Sequence, residues 1–300
     1  MQIQFSILDL QQITTLPDIF KSFKFLTMLK DQIIDSINKN IKNKELIKSL
    51  LLPAIAFSLE VPKSNELNLS RIGGKPLFQK DIDNLDLSLT FLAQISLNEI
   101  KDKNEILPKD GNLYFFLNTT LDNRFPDQKE NFKILYCDEE NLNYFKKENI
   151  TSISNEYSLS FSEIYTFPSY QESLIEKSNI EDDEIENIEN IIFQINSRIT
   201  EGNYDVTHHI LGHPQALQGT VRFWWAAKYL HLDKNEQYSK EEIKFIEQEE
   251  ANFLLLLQLN FADPKIGLTN LGDSVAYFGI HKDDLVNKNF CNIKLVIQNT

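Results

Sequence analysis

The chain has 300 residues, 42% hydrophobic and 25% charged, with 21 Phe and 10 Tyr, enough apolar mass for one large core or two ordinary ones. Its net charge of −14 excludes a general phosphate-binding surface, because duplex affinity rests on Lys and Arg neutralising phosphates; excess acid serves solubility or matches a basic protein partner. Two cysteines, Cys137 and Cys291, exclude a disulfide framework and a cysteine metal quartet, and fit a reducing compartment.

The opening MQIQFSILDL lacks a basic leader followed by a long apolar core, and the longest apolar runs are too short for a bilayer. The expectation is a soluble cytoplasmic protein with no membrane or nucleic-acid partner.

Residues 16–52 read as helical: Ile19, Phe23, Leu26, Ile33, Ile34, Ile37 and Ile41 recur at roughly helical spacing, with a break across Asn38–Asn43. The segment 1–52 is therefore expected to dock on a body spanning 53–300. PAIAFSLEV after Pro53 reads as a strand. Gly73-Gly74 before Pro76 marks a tight turn, and Lys75-Pro76 rules out a phosphate loop there. Leu87–Ile95 with its late Gln94, the run from Asn112, Phe132–Cys137 and the alternating stretch up to Phe167 are further strands.

Ser169 and Glu172 have capping-box spacing for a short helix over Ser169–Ser178. The acidic cluster Glu181–Glu186 opens a second helix through Ile199, where negative charge complements the dipole, and reads as a solvated helix start. Ser239 and Glu242 repeat the capping box before a helix to Ala251. Ala251–Ile280 then gives an apolar run with Gln258, a loop carrying Gly267 and Gly272-Asp273, and a second run from Val275; a last strand follows Phe290.

Two blocks echo each other. IGGKP, LTFLAQI and DGNLYFFLN in the first correspond to LGHP, FLLLLQL and GDSVAYFGI in the second. The echo predicts a divergent duplication with approximate halves 53–168 and 200–300 joined by a helical connector, 169–199. The fold class expected is α+β, a duplicated, largely antiparallel β-rich body with N-terminal and inserted helices.

In order, SRIGGKP, LAQI, DGNLYFF, HILGHP, LLLQL and LGDSVAYFGI resemble the YwqG-like family of bacterial proteins, from about Leu69 to the C-terminus. That family carries no assigned activity, so the resemblance implies fold more than function. Some members lie near toxin genes, which implies an immunity-type role. The chain departs from the family at Asn260 and Phe261, where an Asp is usual, at Leu271 for Trp and at His213 for Tyr.

His209 and His213, four apart, would share a helix face as in zinc sites, but Gly212 and Pro214 oppose a helix and no glutamate follows His209 to act as a base. They read as structural or surface histidines, with Asp205 or Asp273 as a further ligand if a metal were held. No cofactor is expected. Gln94 and Gln258 either satisfy loop backbone or bind a polar ligand in a cleft between the halves, with Arg71 as an anion contact and Asp273 as a base. Both cysteines follow apolar neighbours and read as buried, and of Trp224 and Trp225 at least one belongs to the core. The leading expectation is a non-catalytic binding protein, immunity-like or regulatory, that meets a basic or toxin-like partner. The alternative is a small-ligand or metal-dependent enzyme with its site around Arg71, Gln94, His209, His213, Gln258 and Asp273.

Overall fold

The computed structural model describes residues 29–39, 41–62, 70–78, 85–102, 104–119, 127–138, 149–153, 155–200, 208–233, 237–268 and 271–299. The helical expectation before residue 29, and Asp205, lie outside them. Ten strands form one sheet: β1 (Leu52–Glu60), β2 (Arg71–Ile72), β3 (Thr90–Ser96), β4 (Asn112–Leu117), β5 (Phe132–Cys137), β6 (Tyr157–Thr166), β7 (His209–Leu211), β8 (Phe253–Asn260), β9 (Ser274–His281) and β10 (Lys294–Asn299). Their order is β10-β9-β8-β7-β1-β6-β2-β3-β4-β5, antiparallel throughout.

The order has the same form from either edge. A three-strand meander (β10-β9-β8 or β5-β4-β3) is followed by a short strand (β7 or β2) and a long central one (β1 or β6). β1 and β6 pair along their length from Leu52↔Thr166 to Glu60↔Ser158. Residues 200–300 supply β7–β10 and the earlier range β1–β6, so this symmetry of order sets β1 with the later strands and does not divide at the halves expected from the sequence. β3 and β8 each carry one register shift, between Phe91 and Ala93 and between Leu255 and Leu257; such bulges increase local twist and help a sheet curl.

Alternation decides which side chains fill the inside. Leu113, Phe115 and Leu117 of β4, Ala276, Phe278 and Ile280 of β9, and Ile55, Phe57 and Leu59 of β1 join one central cluster. Phe115 meets Phe278 edge-on at 5.1 Å, Phe132 reaches the same ring at 6.5 Å, and Tyr136 of β5 lies 4.6 Å from Phe290. The edge strands therefore approach through side chains, and the sheet is a nearly closed, barrel-like α+β body with a packed interior.

The outer face carries three satellite layers. Helix α1 (residues 29–39) and α2 (Lys44–Leu50) place Leu29, Ile33, Ile37 and Ile47 with Ala54, Ala56 and Ile164 of the central pair. The same cluster takes Ile185, Ile188, Ile192 and Ile195 of α4 (Asp182–Ile199), which follows the short α3 (Ser173–Glu176). Helix α5 (Val221–Tyr229) and α6 (Lys240–Glu249) cover β8–β10, and Phe78, Leu85 and Leu89 cover β3–β5. α7 (Lys282–Val286) follows β9.

Several expectations need correction. Ser239 and Glu242 do form the capping box of α6. Ser169 and Glu172 do not: Ser169 Oγ donates to Ala216 O at 3.2 Å, and the Glu172 carboxylate crosses to α5 instead. Strand β3 starts at Thr90 and not Leu87, because Asp86 accepts the Ser88 N–H at 2.9 Å and holds a turn there. Cys137 is buried but Cys291 is exposed. Phe290, its neighbour on a one-turn 3-10 helix, takes the inward direction. Trp225 is wholly buried, whereas Trp224 is 39% exposed.

Trp225 is seated by a glycine. A Cβ at Gly279 on β9 would lie 2.2 Å from the indole ring, whose Nε1–H donates to Tyr277 O at 3.2 Å. Gly279→Ala must push the ring off α5's contact with the sheet. Urea unfolding followed by tryptophan emission should show a loss of about 1–3 kcal/mol, with the Trp225 signal shifted; an unchanged midpoint would contradict this packing.

Candidate functional site

β2 and β7 each end in the same kind of turn. Gly73 and Gly74 hold φ of +67° and +65°, and Leu211 and Gly212 hold +62° and +71°, two left-handed residues in succession. At Gly212 nothing larger fits: a Cβ would stand 2.5 Å from Thr166 Oγ1 and 2.6 Å from Ala54 Cβ. A proline follows two residues after Gly74 and Gly212, and the chain turns over the outer face of the sheet.

Beneath each turn lies a fully buried glutamine. Gln94 pairs with Arg71 and Tyr114, and Gln258 with His209 and Tyr277. Gln94 Oε1 accepts the Leu77 N–H at 2.8 Å, and Gln258 Oε1 accepts the Gln215 N–H at 2.9 Å. The neighbouring tyrosines finish the clamp, Tyr114 donating to Leu77 O at 2.9 Å and Tyr277 to Gln215 O at 2.6 Å. The clamps differ in one atom group. Gln258 Nε2 donates to Gln215 Oε1 at 2.8 Å, while Leu77 offers no acceptor side chain and Gln94 Nε2 has no hydrogen-bond partner among the described residues.

Of the four nominated ligand contacts, the fold brings Arg71 and Gln94 together. Arg71 stands beside Gln94, its guanidinium 2.9 Å from Glu156; burial pulls its pKa down while Glu156 and Glu99 oppose this. Gln258 is separated from them by β7, β1 and β6. Asp273 is exposed just before β9.

The histidines serve the second turn. His209 Nε2 donates to His213 O at 3.0 Å, so the pair four apart braces its own loop. His213 donates from Nε2 to Leu50 O at the end of α2 (2.7 Å), and its N–H donates to Thr166 Oγ1 at 2.8 Å. Burial first, and Arg222 second, hold the His213 pKa well below its usual value. His208 accepts the Asn260 N–H at Nδ1 (3.1 Å), which leaves the proton on Nε2, 3.1 Å from Asp263. Among the described residues, no three of His, Cys, Asp and Glu are grouped to hold a metal ion.

Sequence reasoning missed the buried charges behind this loop. Glu172 is wholly enclosed; its carboxylate accepts from the Val221 N–H at 3.1 Å, Thr220 Oγ1 at 3.3 Å and Arg222 at 3.4 Å. Burial pushes its pKa up against the pull of Arg222. Glu250 takes Ser173 Oγ and Lys177 Nζ. Gln298 Oε1 accepts the Leu217 and Gln218 N–H groups at 2.7 and 3.1 Å, and Gln171 accepts that of Gly219 at 3.0 Å. Only the late glutamine of the second block carried a legible signal for this network.

What the arrangement does chemically is hold backbone. A pocket lined by Ala54, Ile55, Lys101, Asp102, Glu163 and Leu211 offers about 20 Å³, room for one water and not for a substrate. No described helix is long and apolar enough to cross a membrane. A family model described as a domain of unknown function, DUF1963, matches residues 70–298. No curated protein matches the chain.

Two measurements test the site. Gln258→Leu removes the bonds to both the N–H and the side-chain oxygen of Gln215 and should cost about 2–3 kcal/mol, whereas Gln94→Leu also removes an unbonded amide group and should cost about 1 kcal/mol; equal losses in urea melts would contradict the two clamps. His213 is neutral when folded because its pKa is depressed, so its contribution is full above the reference value of 6.5 and is lost as pH falls through the folded pKa. Wild type should therefore lose stability below pH 6.5 more steeply than His213→Gln. Parallel curves would contradict the assignment.

Proposed function

The chain belongs to the DUF1963 family, a domain of unknown function, and from that premise we propose that it is a non-catalytic binding protein engaging a basic protein partner. The observation that carries this reading is the contrast between inside and outside. Arg71, Gln94, Gln258, His209 and His213 all bond within the chain, while the net charge stays at −14. Groups occupied by backbone are poor general acids or nucleophiles, and an acidic surface steers cationic partners.

Placement in the YwqG-like branch, cytoplasmic location and an immunity-like or regulatory role form part of the same proposal. So does duplication: the two turns, the two bulges, the two glutamine–tyrosine clamps and the edge-to-edge strand order support descent of both halves from one unit. The alternative, a small-ligand or metal-dependent enzyme, draws on Nδ1 of His213, a buried imidazole nitrogen without a partner among the described residues.

Used as bait in a lysate of its native host, the full chain should retain a stoichiometric basic protein that leaves as salt rises across the range where exposed charge is screened. Recovery of no such complex would contradict the reading. Tight binding of one equivalent of zinc, lost in His213→Gln, would favour the alternative.

A further inference from the structure

Helix α4 turns Ile185, Ile188, Ile192 and Ile195 inward and leaves a strongly acidic face outward. Part of that acid has a structural explanation. Glu184 accepts the Lys42 and Asn43 N–H groups at 2.8 and 3.0 Å and so caps α2, and Asp182 and Asp183 occupy the first turn, where the helix dipole favours negative charge. Glu186 and Glu189 lie beyond that turn and gain nothing from the dipole. They are three apart on one face, a repulsive spacing.

Packing around its carboxyl, and Glu186 next, push the Glu189 pKa up, although the Tyr170 N–H donates to it. Among the described residues no Lys or Arg forms an ion pair with Asp182, Asp183, Glu186 or Glu189. Lys177, which follows α3, turns to Glu247 and Glu250.

Large apolar groups stand exposed beside these carboxylates. Tyr170 is 64% exposed. Phe193, one turn past Glu189 and so on the same face of α4, is 41% exposed. A merely solvated helix face has no need of these, and acid excludes nucleic acid and anionic lipid as occupants.

We propose that this aromatic and acidic face of α4, with Tyr170 beside it, docks a basic, amphipathic segment of a partner protein. Its Lys or Arg side chains sit against Glu186 and Glu189, and its apolar side chains cover the rings of Tyr170 and Phe193. The proposal rests on the binding reading above and names the surface and the partner chemistry.

The test uses the full chain at physiological salt and a labelled Leu/Lys amphipathic helical peptide, with an oligo-lysine of equal charge as control. Wild type should bind the amphipathic peptide at least about tenfold tighter than oligo-lysine, and both Tyr170→Ser/Phe193→Ser and Glu186→Gln/Glu189→Gln should weaken it at least about tenfold. Glu241→Gln on α6 should change it less than about twofold, the behaviour of a charge outside the interface. All these positions are exposed, and the Glu→Gln pair conserves shape, so folding is retained. Undiminished binding by both double variants would overturn this docking face while leaving the acidic-surface reading standing. Failure of wild type to bind either peptide would overturn both.

Discussion

Gln258 sends its side-chain amide from strand β8 to the backbone of Gln215, and Gln94 sends its own from β3 to Leu77. A buried amide left unbonded is expensive, and so is a buried loop N–H; each group supplies what the other lacks. The turn after β7 could not lie flat on the sheet without this exchange, because its left-handed Leu211 and Gly212 carry the chain away from the strand ladder. From that loop the rest of the second half follows. Gln298, Gln171 and Glu172 hold the N–H groups of Leu217, Gln218, Gly219 and Val221, α5 starts where they release it, and Trp225 then reaches the hollow over Gly279.

The two clamps are alike in plan and unlike in chemistry. Position 77 is Leu and position 137 of the edge strand is Cys, so the first turn rests on an apolar layer. The second rests on Gln215, Gln298 and an enclosed Glu172–Arg222 pair. Buried polar networks are costly unless every member is satisfied. Under the proposed duplication, the second half has kept or gained that cost, and it is also the half whose helices meet the chain around α3, α5 through Glu172 and α6 through Lys177.

Much of the strand layout was legible. Short apolar runs around Gln94 and Gln258, glycine turns closed by proline and the Ser239–Glu242 box all depend on local rules, and the helix through Ile199 is marked by the acidic cluster at its start. What local rules could not reach was the destination of long side chains. Glu172 has capping-box spacing to Ser169, yet its carboxylate serves Val221 and Arg222, far along the chain. His209 and His213 are a zinc spacing only on a helix; on a strand entering a left-handed turn, the first ring reaches the carbonyl of the second. Cys291 follows a buried Phe290, but one residue further round a 3-10 turn is outside.

The central claim, that the buried glutamines exist to hold loop backbone, is tested most directly by native-state hydrogen exchange at the Leu77 and Gln215 amides. Both lie outside any strand or helix, and ordinary loop amides exchange through low-energy local opening. If Gln94 and Gln258 clamp them, both should exchange as slowly as the amides of β3 and β8, at close to the free energy of global unfolding. Exchange at the rate of the exposed loop amide of Gly272 would contradict the account.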